Sequence, residues 1–128
     1  MIYLDTSVAL AQILAEDRVP PEALWRETLI SSRLIEYEVW TRIHARRLAD
    51  SHGDLVRALL GGIAFLELAP PILARALEAF PATVRTLDAL HLASMDFLRN
   101  HGHDPSLASY DERLLTAAKA LRFNIYPV

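Results

Sequence analysis

The sequence predicts an α/β protein: a three-layer α/β/α arrangement around a mostly parallel central sheet of four to five strands. Three observations lead there. Short apolar runs of strand length alternate with amphipathic stretches along the whole chain. The first run, Ile2-Tyr3-Leu4, is continuously apolar, as expected of a strand covered on both faces. Acids and hydroxyls directly follow the apolar runs, where a strand would hand over to a capped helix.

Taken in order, Ile2 to Leu4 is a strand, and Thr6 or Ser7 can cap a helix from Val8 to about Ala15. Val19-Pro20-Pro21 interrupts, and Pro21 can open a short helix through Leu24, Trp25 and Thr28. Leu29-Ile30-Ser31 is a second strand. Ser32 then caps a long helix, Arg33 to about Ala49, whose stripe is Ile35, Val39 and Ile43. Ser51-His52-Gly53-Asp54 reads as a turn before an antiparallel helix carrying Leu55, Leu59, Leu60 and Ile63. Phe65 to Ala69 is a third strand, stopped by Pro70-Pro71, and Ile72 to Phe80 a short helix ended by Pro81. Thr86 caps Leu87 to about Asn100, and His101 to Pro105 form a loop. Leu107 to Tyr110 is a strand, Asp111 caps a helix to Leu121, and Phe123 to Tyr126 is a last strand. No repeat or linker divides the 128 residues, so a single domain, 1–128, is expected.

Composition narrows the function. At 52% the hydrophobic content is high for a small chain, which fits either a rich core or apolar surface kept for a partner. The net charge of −3 gives no global basic field. Among 13 basic residues only Lys119 is a lysine; arginine forks suit phosphate, although genomic base composition accounts equally for the bias. The lack of cysteine excludes disulfides, thiolate zinc, iron–sulfur clusters and thiol catalysis. No basic leader opens the chain, and the longest apolar stretch, Leu59 to Ala69, is too short and too interrupted to span a bilayer. A cytoplasmic location is expected.

Four acids stand out by position. Asp5 follows the first strand, Glu38 lies a turn and a half beyond Ser32, Asp88 is in the first turn after Thr86, and Asp111 follows the strand ending at Tyr110. Singly, three of them suit plain helix capping. Together they would meet at one sheet edge, where carboxylates repel unless a cation compensates them. Oxygen ligands without His or Cys suit Mg²⁺ or Mn²⁺ rather than Zn²⁺, and an all-carboxylate Mg²⁺ site suits phosphoryl chemistry.

These segments carry a resemblance. Ile2-Tyr3-Leu4-Asp5-Thr6-Ser7, Ser32-Arg33-Leu34 through Glu38, Leu87-Asp88-Ala89-Leu90-His91-Leu92-Ala93 and Ser109-Tyr110-Asp111-Glu112-Arg113-Leu114 resemble the PIN-domain ribonucleases, closest to the VapC-type toxins of toxin–antitoxin pairs. The resemblance covers nearly the whole chain in the family's order. It implies a metal-dependent endoribonuclease that cleaves tRNA, rRNA or mRNA, forms a homodimer, and is held in larger assemblies by a small antitoxin. Carried over, Asp5, Glu38 and Asp88 would be the core Mg²⁺ or Mn²⁺ ligands and Asp111 the fourth acid. Ser7 would hydrogen-bond a metal-site water or Asp111, and Arg113 would anchor an acid or meet RNA phosphate. The competing readings are an RNA-processing nuclease without an antitoxin and a catalytically silent binding module of the same fold. An aspartyl phosphatase would need a second acid two residues after Asp5, where Ser7 stands.

Neighbouring residues are assigned as follows. Glu36 points about 200° away from Glu38 on a helix and is expected in solvent. Asp96 is about 12 Å along the axis from Asp88 and outside metal reach. His91 is expected to be packed and hydrogen-bonded, and His101 and His103 to be exposed loop residues. Arg42, Arg46 and Arg47 form a basic patch, either solvated or an RNA-facing rim.

Overall fold

The computed structural model describes residues 1–128. Five strands form one sheet in the order β3-β2-β1-β4-β5, with β1 (Ile2–Leu4), β2 (Leu29–Ser32), β3 (Ala64–Leu66), β4 (Ser106–Ala108) and β5 (Asn124–Ile125). Every pairing is parallel; Tyr3 is opposite Ile30 on one side and Leu107 on the other. The chain winds outward from β1 to β3, then returns to the other side for β4 and β5. That reversal beside β1 is the topological switch point at which open α/β sheets carry their ligand crevice.

Six helices cover the sheet: α1 (Thr6–Leu14), α2 (Leu34–Ala45), α3 (Ala49–Gly61), α4 (Pro70–Ala76), α5 (Thr86–Asn100) and α6 (Glu112–Ala120). The segment after Pro21 forms a single 3₁₀ turn, Glu22–Arg26, rather than a fuller helix. Alternation along β1 divides the core. Ile2 and Leu4 face a cluster with Val8 and Leu10 of α1, Ile35, Val39 and Ile43 of α2, and Val56 and Leu60 of α3. Tyr3 faces the opposite cluster, with Leu92, Met95 and Leu98 of α5 and Leu114 and Ala117 of α6. No helix is long and apolar enough to cross a membrane.

Several boundaries differ from the sequence expectation: α4 runs over Pro70–Ala76 instead of Ile72 to Phe80, β3 over Ala64–Leu66 instead of Phe65 to Ala69, and α2 has Arg33 in the cap position instead of Ser32. Three more bear on the core and the cleft. The break between the helix pair falls at Arg46–Leu48, not at Ser51–Asp54: Arg47 turns the chain in the left-handed region (φ 55°), and Gly53 lies buried inside α3. Helix α1 begins at Thr6, capped by Asp5 instead of by Thr6 or Ser7. Helix α5 begins at Thr86 itself, with Arg85 in the cap position and Asp88 accepting from the Arg85 amide. In α1 and α5 an acid does the capping, and that fixes where its carboxylate points.

Candidate active site

The carboxyl ends of β1 and β4 open into a cleft of about 990 Å³. Asp5, Glu38, Asp88 and Asp111 all line it, with Ser7 and His91 between them. Three of the acids are placed by capping rules local to the chain, and Glu38 by a distant partner. Asp5 is the N-cap of α1, and its Oδ2 accepts from the Ser7 hydroxyl (2.6 Å), the Ser7 amide (3.4 Å) and the Ser109 hydroxyl (2.8 Å). Asp111 is the N-cap of α6, and its Oδ1 accepts from the Arg113 and Leu114 amides at 3.0 and 3.2 Å. Asp88, in the third position of α5, accepts from the Arg85 amide at 3.4 Å through Oδ2. Glu38 sits in the body of α2 and accepts through Oε1 from His91 Nε2 at 2.6 Å.

One pattern runs through all four. Each carboxylate has one oxygen held by protein donors and the other without a protein partner. Burial raises the Asp88 carboxyl above the ordinary aspartate range; the Arg85 amide opposes this, and the charges of Asp111 and Asp5 add to the rise. Asp88 therefore senses Asp5 and Asp111 across the cleft. As they stand, no three of them approach closely enough to share an ion. The donor set still fits a hard cation: oxygen-only, anionic, oriented, with one oxygen of each acid unused.

Ser7 does not reach Asp111, one of its two expected partners. Its hydroxyl donates to Asp5 and accepts from the Tyr110 amide at 2.9 Å, leaving no bond to Asp111. The link to Asp111 runs instead through Ser109, which sequence reading did not single out. Its buried hydroxyl donates to Asp5 and accepts from the Asp111 amide at 2.9 Å. Arg113 is exposed and contributes its backbone amide, not its guanidinium, to Asp111.

His91 is buried, with Nδ1 2.7 Å from the Tyr3 hydroxyl and Nε2 on Glu38. Burial opposes its charging, but the Tyr3 oxygen and the hydrogen bond and charge of Glu38 outweigh that and raise it well above the usual 6.5. Glu36 lies outside the cleft, 3.6 Å from Arg33. Asp96 joins α4 to α5, accepting from Arg75 at 2.9 Å and Arg99 at 3.0 Å. His101 turns back onto the Phe97 carbonyl at the end of α5.

Positive charge borders the acids. Arg42 lines the cleft, while Arg46 and Arg47 do not. Arg18 and Arg85 join it, neither flagged by any local motif. Arg18 donates to the Tyr110 carbonyl at 3.2 Å and lies over the Tyr110 ring, which fixes a guanidinium at the mouth. An acidic interior with an arginine border can gather a cation inside and phosphates at the rim.

Comparison with known proteins agrees with this geometry. The family model for the PIN domain matches residues 2–120. Ribonuclease VapC47 of Mycobacterium tuberculosis is 30% identical over 130 aligned positions, spanning 96% of this chain and 93% of that protein. A chain of a toxin–antitoxin complex from Klebsiella pneumoniae has the same fold, with a TM-score of 0.70 at 14% identity and 94% of each chain covered. The all-parallel 3-2-1-4-5 sheet, its acid-lined switch point and these matches place the chain in the PIN domain family.

Proposed function

We propose that this PIN-domain chain is a metal-dependent endoribonuclease and the toxin of a toxin–antitoxin pair. The observation that carries the reading is the cleft with four carboxylates, each held by one oxygen and free at the other. Asp5, Glu38 and Asp88 would hold Mg²⁺ or Mn²⁺, with Asp111 as the fourth acid. A divalent cation bound there supplies the acidity that makes water a nucleophile and offsets charge on the departing 3′ oxygen. The protein's own part is orientation. Ser7 and Ser109 fix Asp5, the α6 amides fix Asp111, and Arg18, Arg42 and Arg85 border the acids where RNA phosphates would lie. Water attack in line would leave a 5′ phosphate and a 3′ hydroxyl.

The ribonuclease name of the 30% identical relative supports RNA as substrate, and the cytoplasm is the expected compartment. A small antitoxin is the expected inhibitor, and a homodimer the expected assembly. On α2 and α3 the large side chains Tyr37 and Leu55 are exposed, which suits groove packing against an antitoxin helix.

Total RNA incubated with purified protein and Mg²⁺, Mn²⁺ or EDTA tests the reading, with Asp5→Asn in parallel. Discrete fragments with 5′ phosphates that need both metal and Asp5 are expected. Wild-type turnover by folded Asp5→Asn would overturn the site, and cleavage without any inhibitor encoded nearby would favour an RNA-processing nuclease.

A further inference from the structure

Three of the four acids stand at helix N-termini, where backbone amides without helical partners hold them: Asp5 before α1, Asp88 in the third position of α5, and Asp111 before α6. Glu38 has no such support. It occupies the fifth position of α2, where the amides around it belong to the helix, and its side chain has one more rotatable bond than an aspartate. Something outside α2 must fix it if its free oxygen is to face the other acids.

A hydrogen-bonded line through the core does this. The Ser32 amide at the end of β2 donates to the Tyr3 hydroxyl at 3.1 Å. Tyr3 Oη lies 2.7 Å from His91 Nδ1, and His91 Nε2 lies 2.6 Å from Glu38 Oε1. Tyr3 is fully enclosed and His91 is 2% exposed, so neither has water as an alternative partner. With the ring neutral, the phenol accepts from Ser32 and can give its own proton to Nδ1, which places the ring proton on Nε2, aimed at Glu38. A doubly protonated ring also donates from Nε2, so the contact to Glu38 has the same direction in both forms. The edge-on packing of Tyr3 against the imidazole, at 5.8 Å between ring centres and 80°, holds the ring plane.

We infer that His91 and Tyr3 are positioning residues that hold Glu38 ready for the metal, linking a backbone amide of the sheet to one metal-facing carboxylate. The inference rests on the metal-dependent reading above. Neither side chain touches metal or RNA; they restrict the Glu38 carboxylate to one orientation before the ion arrives. Removing such an outer partner typically weakens metal binding by about 10- to 100-fold.

The test is direct Mn²⁺ titration of the metal-free protein, read by electron paramagnetic resonance, for wild type, Asp5→Asn, His91→Leu, His91→Gln and Tyr3→Phe. Folding of each variant is checked by circular dichroism. His91→Leu should bind Mn²⁺ about 10- to 100-fold more weakly per folded molecule. Tyr3→Phe, which keeps the ring volume, should show a smaller loss in the same direction. His91→Gln, whose amide can donate to Glu38 and accept from Tyr3, should recover most of the affinity. In cleavage assays the KM for RNA should stay unchanged while kcat falls at limiting Mn²⁺ and returns at saturating Mn²⁺. Wild-type Mn²⁺ affinity in folded His91→Leu, or in Tyr3→Phe where the former does not fold, overturns the positioning role alone. Wild-type protein that takes up no Mn²⁺, or Asp5→Asn that binds it equally well, overturns the metal reading beneath it.

Discussion

Replacing Ser109 by alanine is the sharpest probe of how the cleft is held together. The Ser109 hydroxyl is buried, donates to Asp5 at 2.8 Å and accepts from the Asp111 amide at 2.9 Å, so one oxygen joins two of the four acids. Losing a bond to a carboxylate costs about 1.5–3 kcal/mol, with the lower end applying because Ser7 still donates to the same Asp5 oxygen. The Asp111 amide is also deprived of its acceptor, which adds about 1 kcal/mol. The sum is about 2–3 kcal/mol. For a chain of 128 residues each kcal/mol moves the melting temperature by roughly 4 °C, so Ser109→Ala should melt roughly 10 °C lower. Thermal unfolding followed by circular dichroism gives the shift. Ser94→Ala is the control: Ser94 is equally buried, but its hydroxyl donates only to the Leu90 carbonyl one turn back, and the change should cost under about 1 kcal/mol. A fall of less than about 2 °C for Ser109→Ala, or one no larger than the control, would refute the bridging role.

Three further outcomes follow from particular contacts. Asp88→Asn should abolish cleavage yet stabilise the metal-free protein by about 1 kcal/mol at neutral pH, as relief of a functional site commonly does. The sign follows from the raised Asp88 carboxyl: folding disfavours its ionised form, so the penalty is fully present above the folded pKa. It disappears as pH falls below the unfolded value of about 4, and paired melts at neutral and acidic pH should show the gain only at neutral pH. Asp96→Ala should lower stability by about 2 kcal/mol in urea titrations, because Arg75 and Arg99 lose a partly buried partner, with kcat unchanged. Arg42→Ala should reduce the salt dependence of RNA binding by about 0.7 in logarithmic slope if the guanidinium meets one phosphate, as filter binding over a salt series would show.

The fold was readable because the strands lie in short apolar runs, and β1 and β4 are followed closely by an acid that caps the next helix. Ile2-Tyr3-Leu4 before Asp5, and Leu107-Ala108 before Asp111, announce both the strand and the acid at its end. The turn at Ser51–Asp54 misled for a physical reason. Those residues favour turns in isolation, but placing Val56 and Leu60 against Val39 and Ile43 needs a helix already under way by Ala49. Packing therefore overrode local preference, and Arg47 took the left-handed turn although nothing in its identity asks for it. The four acids could be located because three of them follow a strand or open a helix and all four keep the order of the family the chain resembles. Helical geometry lets only one of Glu36 and Glu38 face the cleft, and the family's spacing from Ser32 singles out Glu38. The contacts that hold them were not readable. Ser109 reaches Asp5 across 104 positions and His91 reaches Glu38 across 53, and no spacing rule encodes partners that meet only after the sheet has closed. Arg18 is hidden for the same reason, since its place at the cleft depends on the ring of Tyr110.

The strand order sets a schedule for synthesis. Asp5 leaves the ribosome well before the strand beside it on one flank, β4, and before Asp111 and Ser109, the latter 104 positions after Asp5. A chain interrupted anywhere before β4 has its first acid held by Ser7 alone, without Ser109 and without Asp111. At about 5–20 residues per second, several seconds separate the making of the first acid from that of the last. The full set of acids therefore exists only after β4 has been made. A product that stops earlier lacks Asp111 and the Ser109 bridge, and an inhibitor that reads the assembled cleft would meet only chains that have passed that point.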